Sequence, residues 1–167
     1  MKPTDWANVE QEALDINKIE KKTIDEKGIN QKEAWQAFTS YCNKYNKKKS
    51  FWGAPIAAGH NIINYDMVIV NRMCRLYGPL DNKSKNPILF HGRDKVDLLN
   101  LAFLWFENNK ELENYKLDTL RDYFGLSREG AHNAVKDVED TALIISRFLK
   151  FHRNLAAKTT FKGVFGK

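Results

Sequence analysis

Apolar residues first fall into helical register between Gln31 and Tyr45, where Ala34, Trp35, Phe38, Cys42 and Tyr45 share one stripe. Before that, residues 1–30 are polar and charge-rich, with Ala13, Leu14, Ile16 and Ile19 as scattered anchors and Gly28 as a break. Lys47-Lys48-Lys49 reads as a solvated basic loop. Pro55 to Gly59 is small and apolar and predicts a short buried strand. Tyr65 to Tyr77 predicts a helix with Met67, Val70, Met73 and Cys74 facing inward. Gly78 to Asn86 carries loop chemistry, and Ile88 to Phe90 suits a second brief strand. Val96 to Phe106 is apolar and helical by length, and Leu117 to Phe124 is a short helix stopped by Gly125 at a C′ position. Asn133 to Phe151 gives the clearest helix, with Val135, Val138, Ala142, Ile145 and Leu149 at near-heptad spacing. Leu155 to Lys167 reads as a loose tail.

The pattern is helix-rich α/β, with too few strands for a sheet of its own. A length of 167 residues suggests one domain, and 43% apolar residues supply a core, which excludes disorder throughout. The net charge of +6 suits a phosphate-rich partner without specifying one. Cys42 and Cys74 lack CxxC spacing, so they read as buried reduced thiols rather than a disulfide or zinc site. No apolar run reaches the roughly 18 residues of a membrane span, and Met1 to Ile16 lacks a secretory pattern. The expected location is cytoplasmic, with no membrane partner.

Two segments carry candidate chemistry. In Ala131-His132-Asn133-Ala134-Val135-Lys136-Asp137, a histidine stands five residues before an aspartate. Inside one helix these side chains point about 140° apart. They can share a site if the helix starts at Asn133, a good N-cap, with His132 on the preceding loop and Asp137 in the opening turn. The dipole favours a carboxylate there, and a histidine suits the role of general base. A surface histidine beside a first-turn aspartate is the plain alternative. In Gly59-His60-Asn61-Ile62-Ile63-Asn64-Tyr65-Asp66, Asp66 follows the predicted strand at a strand-to-helix junction, where functional side chains collect. Asn61 and Asn64 suit backbone or substrate contacts, and Tyr65 suits stacking on a base or sugar. Taken alone, this segment is better explained as a plain helix start with Asp66 in the first turn and Tyr65 as packing. His60 reads as structural, His91 and His152 as incidental, and Trp35, Trp105 and Phe106 as core. Trp6 and Trp52 read as packing, and Phe161 and Phe165 as part of a disordered end.

Together these segments resemble the DEDDh (DnaQ-like) 3′–5′ exonuclease family, which includes proofreading subunits of bacterial replicative polymerases and RNase T. Asn61 with Tyr65-Asp66 is similar to its second motif, and His132 with Asp137 to its third. Asp97-Leu98-Leu99, Lys116 to Leu120 and Phe124-Gly125-Leu126 resemble the stretch between them, and Ala13 to Phe38 is loosely similar to an earlier segment. The resemblance implies an α/β, RNase H-like exonuclease fold in a domain over residues 1–152, followed by a basic flexible tail over 153–167. It implies Asp66 and Asp137 as metal ligands, His132 as general base, and Asn61, Asn64 and Tyr65 as substrate-binding residues. Two Mg²⁺ or Mn²⁺ ions about 4 Å apart are its cofactors. Its partners are a single-stranded 3′ end of DNA or RNA, with a polymerase or a second chain.

The chain departs from the family in its first motif, Asp-x-Glu on a strand, where period two puts both carboxylates on one face. Here the sole Asp-x-Glu is Asp137-Val138-Glu139, within the third motif, where helical geometry sets the pair about 200° apart. Asp5 and Glu10 precede any recognisable strand. The expectation is an N-terminally truncated fold with an incomplete central sheet, short of an opening meander of roughly 30–40 residues. Either a second chain would then supply the missing strands, as in a split gene, or the start of the sequence is assigned too late.

Overall fold

The computed structural model describes residues 1–3, 5–6, 9–17, 20–46, 51–131 and 133–159. Its helices are α1 (Gln11–Asn17), α2 (Lys21–Lys27), α3 (Gln31–Asn43), α4 (Asp66–Tyr77), α5 (Leu98–Phe106), α6 (Leu117–Tyr123) and α7 (Ala134–Lys158). Strands β1 (Ala57–Gly59) and β2 (Lys95–Asp97) pair in a two-stranded sheet. The chain divides into two compact units, Met1–Val96 and Asp97–Lys167. The expectations placed on Ile19, Lys47-Lys48-Lys49, His132, Phe161 and Phe165 lie outside the described residues, as do the side chains of Ala13 and Ile16.

In the first unit, Asn30 starts α3 by accepting a hydrogen bond from the Lys32 backbone N–H at 2.8 Å. Trp35 and Cys42 of α3 pack with Met73 and Cys74 of α4 and with Leu89 from the segment that follows. The Trp35 indole donates to the Gly78 carbonyl at 2.6 Å, tying α3 to the end of α4. A second cluster joins Ala57, Ile62 and Met67 around the end of β1. Of the inward stripe placed on α3, Tyr45 is 56% exposed and Phe38 40%, its ring packing against Trp35 and Phe90. Ile88 to Phe90 forms no strand. Leu89 is apolar because it fills the α3–α4 core, and Pro87 makes an isolated bridge to Leu80. The second strand is Lys95–Asp97, so the helix expected from Val96 begins at Leu98. Asp97 sets that start by accepting from the Leu99 backbone N–H at 3.0 Å.

The second unit packs α5 and α6 against α7. Leu98, Ala102, Leu120, Ile144, Ile145 and Phe148 are buried. Phe106, Tyr123, Phe124 and Phe148 form an aromatic cluster with ring centroids 5.0 to 6.2 Å apart. Of the predicted inward stripe of α7, Ile145 is buried as expected and the rest differs. Val135 and Val138 are 67% and 68% exposed, whereas Asp140, Thr141, Ile144, Ile145 and Phe148 face inward. The apolar spacing misleads because the interior at this end of α7 is ionic. The helix also runs on to Lys158, into the segment read as a loose tail. Among the described residues, no helix is long and apolar enough to cross a membrane.

Candidate active site

The turn between β1 and α4 gathers Asn61, Asn64, Tyr65 and Asp66. Gly59 makes it possible, since a Cβ there would lie 2.1 Å from Cγ2 of Ile62, a buried β-branched side chain. Asn61 then takes the left-handed conformation at φ 56°, which asparagine tolerates better than most residues. The Asn64 side-chain amide donates to the Asn61 side-chain oxygen at 2.9 Å, bracing the two against each other. Ile62 anchors the turn in the core, and its carbonyl accepts from the Met67 backbone N–H at 2.8 Å. Tyr65 occupies the N-cap position of α4 and is 67% exposed. Asp66 opens the helix. Its carboxylate is exposed and takes no hydrogen bond or ion pair among the described residues. The helix dipole favours negative charge at this point.

Asp137 lies in the second unit, in the first turn of α7. Asn133 is the N-cap as expected, accepting from the Val135 backbone N–H at 2.9 Å. The carboxylate of Asp137 is already engaged. Arg121, in the last turn of α6, donates from Nη2 to Asp137 Oδ1 at 2.5 Å. The same guanidinium donates from Nη1 to Asp118 Oδ1 at 2.7 Å and from Nε to Asp140 Oδ2 at 2.8 Å. Lys136 closes the network by donating to Asp140 Oδ1 at 2.7 Å.

The Arg121 and Asp140 side chains are only 2% and 3% exposed, against 35% for Asp137. Burial disfavours the charged Arg121, but its carboxylate bonds outweigh this and hold its pKa above the ordinary value. The bond from Lys136 holds Asp140 below the usual carboxylate range against the opposing effect of burial, with Arg121 adding to it. The Arg121 backbone is fixed as well. Gly125 at φ 67° ends α6, and the Leu126 N–H donates to the Arg121 carbonyl at 2.8 Å, forming a Schellman turn with the Gly125-to-Asp122 bond.

Residues 1–145 match the RNase T exonuclease family. The chain belongs to that family. The exonuclease match therefore takes in the β1–α4 turn and the start of α7 alike, and it agrees with a DnaQ-like member of the RNase H-like superfamily. A PolC-type DNA polymerase III from Pediococcus pentosaceus is 31% identical over 106 residues, covering 64% of this chain. The chain spans 6% of the length of that relative. No solved structure matches the chain.

The exonuclease family generally uses divalent metal ions, and carboxylate oxygens are the donors that hard dications take. Asp66 offers both of its oxygens. Asp137 offers Oδ2, which carries no hydrogen bond among the described residues. In kind these donors fit such an ion. In number they fall short within either unit, because no group of three or more His, Cys, Asp or Glu among the described residues is placed to hold a metal.

Arg121 and Asp140 escaped the sequence reading, although Asp118 with Arg121 and Lys136 with Asp140 stand at helical ion-pair spacings that could have revealed them. The histidines His91 and His152 have structural partners. His91 Nδ1 accepts from the Asp94 N–H at 3.0 Å, and His152 Nε2 accepts from the Trp105 indole at 3.0 Å. Cys42 and Cys74 are buried free thiols, as expected, and burial raises the pKa of both.

Proposed function

We propose that the chain serves as a 3′–5′ exonuclease domain that hydrolyses phosphodiester bonds of single-stranded DNA or RNA and releases nucleoside 5′-monophosphates. The observation that carries this reading is the family match over residues 1–145, which includes two aspartates set in the opening turns of helices. In this reading, Asp66 and Asp137 hold Mg²⁺ or Mn²⁺, His132 takes the proton from the attacking water, and Asn61, Asn64 and Tyr65 receive the terminal nucleotide. When bound, the ions supply an activated water and offset charge on the phosphate. The exposed Tyr65 ring beside Asp66 suits stacking on a base at the strand end. The domain occupies residues 1–152, and 153–167 form a basic extension whose first turns continue α7.

The same reading makes these 167 residues slow on their own, because they carry no strand-borne Asp-x-Glu pair. The complementing group comes from elsewhere, and the PolC-type relative makes a polymerase assembly the natural setting. The missing pair also supports a second reading, a non-catalytic nucleic-acid-binding or polymerase-docking module of this fold.

A 3′-labelled single strand incubated with the chain and Mn²⁺ tests both. The leading reading expects slow release of labelled mononucleotide, stopped by chelation and by Asp66→Asn or Asp137→Asn, and faster when a strand bearing Asp-x-Glu is supplied in trans. Strand binding without release, even in the complemented assembly, establishes the second reading. Cleavage that survives both substitutions overturns the site.

A further inference from the structure

We propose that the cavity between α4 and the segment leading into β2 binds a nucleoside 5′-monophosphate, with the flat base against its apolar wall and the phosphate on Lys95. The class of ligand rests on the exonuclease reading, which makes such monophosphates its product; the cavity itself does not. It lies wholly within the first unit and has a volume of about 230 Å³. Pockets for drug-sized ligands run from roughly 300 to 1,000 Å³, so this one admits a single ring system and no dinucleotide. Met67, Val70 and Cys74 of α4, with Leu89 and Phe90 from the segment that follows, form the apolar wall. The lining shares no residue with Asn61, Asn64, Tyr65 and Asp66, which makes it a second site rather than part of the β1–α4 turn.

Three polar side chains on this lining decide what it accepts. Among the described residues that line it, Lys95 alone is charged. Its amine donates to the His91 and Gly92 carbonyls at 2.7 Å each. An ammonium has three donors, so one remains for a ligand. The carboxylate of the adjacent Asp94 is taken by Arg93 at 2.7 Å. Burial lowers the pKa of the Lys95 amine, against Asp94, which raises it. A partly desolvated ammonium held by neutral oxygens gains from an incoming anion. Asn71 and Asn86 supply the other polar groups. Their side-chain amides take no hydrogen bond among the described residues. A carboxamide donates and accepts at once, the pairing that the edge of a base requires. A plain hydrocarbon ring bearing an anion would satisfy Lys95 and leave both amides unused.

Carbon-13 NMR of the methionine methyl groups of the 167-residue chain tests the proposal, in a chelating buffer so that no metal takes part. Uridine 5′-monophosphate is the probe. Met67 lies on the cavity wall, whereas Met1 is exposed and outside the lining. The expected result is a saturable shift of the Met67 signal with Met1 unmoved. Lys95→Gln should weaken binding about ten- to a hundredfold, the scale of a hydrogen bond to a charged group, and uridine, which has no phosphate, should bind wild type more weakly by a similar factor. Lys95 also holds the backbone at His91 and Gly92, so Asn71→Phe is the second variant. It fills the cavity from a half-buried position on α4 and should abolish the Met67 shift, with circular dichroism confirming the fold. A Met67 signal that ignores the monophosphate, moves equally with uridine or still responds in folded Asn71→Phe overturns the proposal and leaves the exonuclease reading untouched. No strand cleavage in the complemented assembly, with the Met67 response intact, overturns that reading alone.

Discussion

Asp66 and Asp137 are the same residue type, each in the opening turn of a helix, yet their surroundings differ in kind. Asp66 is seated by packing. Gly59 and Ile62 fit the turn to the core, and the carboxylate stands outside with no partner among the described residues. Asp137 is seated by charge, through a guanidinium shared with two other aspartates. A close-packed mount tolerates changes in pH and salt but not in volume. An ionic mount in the interior tolerates small changes of shape but not the loss of one charge.

The contrast is sharpest at Arg121. Its replacement by methionine leaves Asp140 buried with Lys136 as its remaining cation and is expected to cost about 3–5 kcal/mol in urea unfolding. Asp66→Asn, at an exposed carboxylate, should stay within about 0.5 kcal/mol of wild type. Equal losses at the two positions would erase the distinction between the mounts. The next effect in size belongs to the packed turn. Gly59→Ala forces a methyl against Ile62 Cγ2, whose β-branched, buried side chain cannot swing away, and is expected to cost about 1–3 kcal/mol. No loss of stability there would show that the turn is looser than its contacts imply.

The smallest effect is the response to acid. Asp140 has its folded pKa below the ordinary 3.8, so its contribution is complete above that value and drains away as pH falls from about 4 through the depressed one. Urea midpoints measured from pH 6 to pH 3 should therefore fall more steeply for wild type than for the Arg121→Met, Asp140→Leu protein. Parallel curves would place the acid sensitivity elsewhere.

The packed half was legible in the sequence and the charged half was not. Pro55 to Gly59 announces a strand, and Met67, Met73 and Cys74 a helix, by ordinary apolar spacing, and the structure follows them with a strand over Ala57–Gly59 and a helix over Asp66–Tyr77. The caps at Asn133 and Gly125 were equally readable, because each rests on a backbone need that few residues meet. On α7 the same logic picked Val135 and Val138, which face out, over Asp140 and Thr141, which face in. A periodicity rule that scores apolar residues as interior cannot see an aspartate buried against an arginine nineteen positions away. Lys95–Asp97 was missed for a related reason, since one valine between two charges carries no strand pattern.

The join between Arg121 and Asp140 also constrains how such a chain can change over generations. Losing the arginine first leaves an interior aspartate short of a partner, and losing the aspartate first leaves a guanidinium short of one. Both single steps pass through a weakened protein, while the paired step need not. Descendants of this sequence should therefore keep or discard the two codons together.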